Sequence, residues 1–180
     1  MKYHLNTLAI KKEALLTLAV LIGIAIAAPL LFKQQLITGT IVNATLIIGV
    51  SLLGARDGLL IGLLPSSVAL ATGLLSPALA PLIPFIIIGN AILVLTFSYL
   101  SRINYWVGVI VGSLLKFGFL YGTSTVVIGL LINKQVAPAV AQMLSWPQLV
   151  TALAGGILAF GLVKLVRKFP VSQKGNYFGG

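Results

Sequence analysis

From Ala14 to Val166 the chain is a succession of apolar runs of bilayer-crossing length, joined by short segments that hold most of the charged residues within that stretch. A transmembrane helix needs about 20 predominantly apolar residues. In hydrocarbon only helices and closed barrels satisfy every backbone polar group. These runs do not alternate apolar with polar residues, which rejects a barrel. Only 8% of the residues are charged, against about 25% in a soluble domain, so the chain cannot wet its own surface. The reading is an all-α membrane protein: a six-transmembrane-helix bundle with both termini cytoplasmic.

The spans follow in order. Residues 1–13 form a cytoplasmic basic lead-in, residues 14–166 a single transmembrane domain, and residues 167–180 a cytoplasmic tail. Ala14 to Leu31 is the first span, too long for a signal-peptide core. Ala19, Gly23 and Ala27 recur along it with helical spacing and put small residues on one face. Such a stripe serves packing within the bundle or docking against another membrane helix. Phe32 to Gly39 reads as the first loop, with Gln34, Gln35 and Thr38. The second span runs from about Leu36 to Leu53 and carries Asn43. After a tight turn at Gly54 to Gly58, a third span reaches Leu75, with a kink predicted at Pro65.

Pro77, Pro81 and Pro84 then interrupt SPALAPLIPFIIIGN, where proline removes donors and clashes with the preceding turn. The fourth span, Ile83 to Leu100, carries Gly89 and Asn90. The fifth, Tyr105 to Ile132, is longer than one crossing requires and contains Lys116. Asn133 to Leu144 is a loop with room for a short interfacial helix. Ser145-Trp146-Pro147-Gln148 opens the sixth span, with serine suited to an N-cap and proline to the first turn.

Charge sets the orientation. Net charge is +10, and with both termini inside, Lys2, Lys11, Lys12, Arg56, Arg102, Lys164, Arg167, Lys168 and Lys174 are cytoplasmic. Only Lys33 and Lys134 lie outside, as the positive-inside rule requires. This pattern explains the basic balance without nucleic acid. Cysteine is absent, and His4, Glu13 and Asp57 are too few for a metal site. There is no G-x4-G-K-[ST] phosphate loop and no G-x-S-x-G nucleophile elbow. The chain is read as no enzyme, with no cofactor and no metal.

What remains is a binding vocabulary. Lys116 is the one charge deep within an apolar run, and an ionisable group there is a functional hypothesis by default. Its alternative role is a structural cation bonded to Asn90 and helix carbonyls. Trp146 is alternatively an anchor at the membrane–water boundary. The topology allows one outward-open site lined by Asn43, Asn90, Lys116, Trp146 and Gln148, suited to an anionic or carbonyl-rich ligand.

Six helices in so short a chain, the small-residue stripe and the first loop resemble the S-components of energy-coupling factor transporters, the substrate-capture subunits of bacterial vitamin importers. The elements QQLITGTIVNATL, LSPALAPLIPFIIIGN, LLKFGFLY and SWPQLVTALAGG look like an uncharacterised group within that family, sometimes labelled "iron hydrogenase". Without cysteine the chain cannot build that cofactor's site, so the label is rejected as an activity. The resemblance implies a multi-pass protein of the cytoplasmic membrane that captures a small vitamin-like solute from outside. Gln34, Gln35 and Thr38 would then belong to a gating loop. It also implies a transmembrane coupling subunit and two cytoplasmic ATPase subunits as partners. Ala19, Gly23 and Ala27 would contact the coupling subunit, with glycine where the family has a middle alanine. A membrane assembly subunit and an autonomous carrier or channel are the rival classes.

Overall fold

A computed structural model describes residues 2–32, 34–71, 77–131 and 137–168. Helix α1 spans Lys2–Leu31, α2 Gln35–Leu53 and α3 Ala55–Ala71. A 3-10 turn over Pro77–Leu82 leads into α4, Ile83–Leu100. Then come α5, Tyr105–Leu131, the short α6, Ala137–Met143, and α7, Trp146–Lys168. Among the described residues, five stretches are long and apolar enough to cross a membrane: Lys12–Leu31, Gln35–Leu53, Ala80–Leu100, Tyr105–Ser124 and Val140–Val166. With α3, at 17 residues, they form an all-α membrane bundle. The predicted end of the third span, Lys33, Ile132 to Val136 with Lys134, and the tail from Phe169 lie outside the described residues.

Local chemistry explains the boundaries. Gly54 ends α2 at φ 102°, a conformation that side chains rarely adopt, and its N–H reaches the carbonyls of Gly49 and Val50. Pro65 leaves α3 a single helix, and Ser67 Oγ beside it donates to the Leu63 carbonyl at 3.0 Å. The proline-rich segment avoids α-helix until Leu82, as the proline spacing predicts.

The first loop is a correction. Helix α2 starts at Gln35, so the connection from α1 shortens to 32–34, and Gln35 and Thr38 sit on the first turn of the helix. Thr38 makes that start possible twice. Its N–H donates to the Gln34 carbonyl at 3.0 Å, and its hydroxyl donates to the Phe32 carbonyl at 2.7 Å. Ser145 also departs from expectation, since its hydroxyl donates back to the Gln142 carbonyl instead of capping α7.

The interior has two apolar layers. The larger joins α1, α2, α3, α4, α5 and α7 through Ala25, Leu46, Ile61, Phe97, Val109 and Ala159. The smaller brings Leu82 of the 3-10 turn, Leu120 of α5, and Val140 and Leu144 together, with Phe85, Ile86, Phe119 and Met143 against them. Close approach of α2 and α7 depends on Gly155, where an added Cβ would stand 2.8 Å from the Ala44 nitrogen. Large apolar side chains such as Leu15, Leu95, Leu115 and Ile157 face outward. That surface suits lipid, because burying it in hydrocarbon costs nothing. On α1, Leu21, Ala25 and Ala28 turn inward while Ala19 and Gly23 are exposed and Ala27 is half-buried.

Candidate functional site

A polar layer crosses the bundle between the apolar ones. Lys116 lies eleven residues into α5, about 16 Å along the helix at 1.5 Å per residue, and is 3% exposed. Its Nζ donates to Asn43 Oδ1 of α2 at 2.6 Å and to Asn90 Oδ1 of α4 at 2.8 Å. A lysine head donates and cannot accept, so both amides turn their oxygens to it and their nitrogens away. Asn90 Nδ2 donates to the Gly62 carbonyl at 3.1 Å, and Asn43 Nδ2 to Thr151 Oγ1 at 3.2 Å. Five helices thus meet at one ammonium or one bond beyond it.

Glycine at position 62 is what admits Asn90. A Cβ there would lie 3.2 Å from Asn90 Cβ and 3.3 Å from a Leu46 methyl. The side chains of Asn43 and Asn90 are themselves buried, and buried amides left unpaired would each cost about 1–3 kcal/mol. Their satisfied bonding makes the layer permissible at membrane depth.

A second polar set lies at the end of the bundle that carries α6. There Gln34, Gln35, Leu36, Gln142, Trp146 and Pro147 line an open cleft of about 190 Å³. Gln35 Nε2 and Gln148 Nε2 both donate to the Met143 carbonyl, at 2.8 and 2.9 Å. Two amides from two helices therefore hold the end of α6 in place. Trp146 is 54% exposed at the cleft's rim.

The residues expected to share one open cavity thus fall into two groups. Lys116, Asn43 and Asn90 form a closed cluster, whereas Gln34, Gln35 and Trp146 line the cleft. Thr38 joins neither, because its hydroxyl is committed to the Phe32 carbonyl. Between the groups stands the smaller apolar layer: Leu120 is one turn from Lys116 on α5, and Ile86 one turn from Asn90 on α4. Gln148 links them, since its backbone carbonyl accepts from Thr151 Oγ1 at 3.3 Å while its amide reaches Met143. A hydrogen-bonded column therefore runs from Lys116 through Asn43, Thr151 and Gln148 to the Met143 carbonyl beside the cleft.

Sequence reasoning missed Thr151, the Gly62 and Met143 carbonyls, Gln142 and Ser113. Thr151 lies three residues after Gln148, which is the helical spacing of a shared face. Ser113 precedes Lys116 by the same interval. Carbonyl roles carry no sequence signal. Ala27 of the α1 stripe lines a separate apolar groove of about 170 Å³ with Ile24, Ala28, Leu31, Phe32 and Ile41. Among the described residues no group of His, Cys, Asp or Glu is placed to hold a metal ion.

No curated protein and no solved structure matches the chain. Residues 13–167 match the family described as "ECF transporter, substrate-specific component". That match takes in the membrane-spanning bundle and both polar groups, and the chain belongs to the family of substrate-specific components of energy-coupling factor transporters.

Proposed function

We propose that this subunit captures a small, vitamin-like solute on the outer side of the cytoplasmic membrane for import. The single observation that carries the reading is the buried Lys116 ammonium, held by Asn43 and Asn90 one helical turn beneath an apolar lid. A buried charge is costly and persists where a function requires it. The charge distribution supports an orientation with the α6 end outside, and with Arg56 at the start of α3 and Arg102 of the α4–α5 turn inside. In this orientation the cleft at Gln34, Gln35 and Trp146 receives the solute and α6 covers it. Thr38, with Gln34 just before the start of α2, forms the neighbouring gate.

Transport then needs the partners of the family: a transmembrane coupling subunit and two cytoplasmic ATPase subunits. The outward-turned Ala19 and Gly23, with Ala27, offer the coupling subunit a face where helix backbones approach closely. The purified chain should therefore release one small solute on denaturation, identified by mass spectrometry. In proteoliposomes it should accumulate that solute only with the coupling and ATPase subunits and ATP.

A membrane assembly subunit is the second reading, favoured by the closed bonding of Asn43 and Asn90. On that reading the purified chain releases no solute, and substitutions in the cluster change stability alone. Uptake by the chain alone would instead indicate an autonomous carrier.

A further inference from the structure

Resting on the capture reading above, we infer that the captured solute is a monocarboxylate with an apolar body, received by Lys116 together with Ser113. Both amide oxygens of the cluster face the ammonium, and each amide nitrogen turns away from it to donate one N–H, to Thr151 Oγ1 or to the Gly62 carbonyl. An ammonium has three N–H donors, and only two have partners among the described residues. Three residues earlier on the same face of α5, Ser113 is fully buried and its Oγ makes no hydrogen bond among the described residues. The third N–H of the ammonium and the Ser113 hydroxyl are therefore two donors available to one ligand, and the ammonium can accept nothing. A ligand that presents oxygens is what the pair can bind.

Charge narrows the class. The chain contains two acidic side chains, Glu13 and Asp57. Glu13 is exposed on α1, and Asp57 belongs to the first turn of α3, more than one turn from Gly62. Neither pairs with Lys116, whose partners are both neutral amides. A buried cation without a counter-ion is strongly unfavourable, and one singly charged anion balances it. A cationic solute would add repulsion, and a dianion would leave a charge uncompensated. A carboxylate matches with its two oxygens, one toward the ammonium and one toward the serine hydroxyl.

The body of the solute follows from the neighbouring layer. Leu82, Leu120, Val140 and Leu144 are aliphatic, and the partly buried groups against them include Phe85 and Phe119. A solute that enters as α6 lifts exchanges these contacts for its own, which selects an apolar body.

The test starts from the purified full chain. Solutes released on denaturation are analysed by mass spectrometry in both ion modes, for wild type, Lys116→Arg, Lys116→Met and Asn90→Asp. An acidic solute in wild type, retained in part by Lys116→Arg and lost from Lys116→Met, is the expected result. Asn90→Asp supplies the anion from within and should lose it as well, which keeps the test intact if Lys116→Met fails to fold. A neutral or cationic solute, or an acidic one retained unchanged by Lys116→Met and Asn90→Asp, overturns the inference and leaves capture standing. No solute from folded wild type overturns capture itself. Solute-freed protein is then titrated with benzoate and benzamide, which share a shape and differ in charge. A preference of about tenfold or more for benzoate, absent from Lys116→Met, is expected. Equal binding, or none by either, counts against a carboxylate site.

Discussion

The ammonium of Lys116 lies 2.8 Å from Oδ1 of Asn90, and the same asparagine donates at 3.1 Å to the Gly62 carbonyl. One amide thereby ties α5, α4 and α3 together inside an apolar bundle. Asn90→Leu keeps roughly the volume and removes both bonds. It should lower unfolding free energy by about 1–3 kcal/mol, the cost of leaving buried partners unpaired. Asn43→Leu should behave alike. The double variant should depart from additivity, because both act on one ammonium. Reversible unfolding of all four proteins in the same lipid–detergent mixture measures this.

Ser113 gives the opposite sign. Its hydroxyl is buried without a partner among the described residues, and such a group costs about 1–3 kcal/mol relative to an apolar one. Ser113→Ala should therefore leave the solute-free protein equally stable or more stable. The same change should weaken binding of a carboxylate solute. A rise in thermal midpoint together with a weaker affinity is the expected pair of results. Loss of stability would assign the hydroxyl a structural bond.

The spans were legible because each physical signal was local. Apolar run length, Gly54, the proline series and the Ser145–Pro147 boundary place α4 at Ile83–Leu100 as read from sequence and the other spanning helices within a few residues, except that α1 begins at Lys2, twelve residues before the start read for its span. The first loop was misread because Gln35 and Thr38 look like polar linker residues. Whether a helix starts before or after them depends on where the Thr38 hydroxyl finds an acceptor. Asn43, Asn90 and Lys116 were legible as polar groups in apolar runs. Their separation from the cleft was not, because it depends on how Val140 and Leu144 pack against Leu82 and Leu120. Those residues are distant in sequence and carry no pairing signal.

Glycine positions test the packing directly. At Gly155 an added Cβ would meet the Ala44 nitrogen and Asn43 Cβ at 2.8 Å, and backbone cannot move aside cheaply. At Gly118 it would meet nothing within 4 Å. Gly155→Ala should cost about 1–3 kcal/mol by overpacking. Gly118→Ala should be neutral or stabilise by up to about 1 kcal/mol through helix propensity. Equal effects in unfolding measurements would contradict the close α2–α7 approach.

The Met143 carbonyl accepts from Gln35 and from Gln148, so either amide can substitute for the other. Gln35→Ala and Gln148→Ala should each loosen α6 only slightly. Together they should do so by more than the sum, since the carbonyl then loses its last side-chain donor. Hydrogen exchange of the α6 amides reports the opening. Faster solute release in the double variant, with the melting of α2 and α7 unchanged, is expected.

The two faces of α1 separate stability from assembly. A Cβ added at Gly23 would meet nothing within 4 Å, whereas Ala25, two residues on, is fully buried. Gly23→Leu should therefore leave unfolding and solute binding unchanged. Close helix contact relies on small residues, so the same change should abolish co-purification with the coupling subunit and, with it, ATP-driven uptake. Ala25→Leu should instead destabilise the isolated subunit by about 1–3 kcal/mol. If Gly23→Leu assembles and transports like the wild type, the coupling subunit docks on another face.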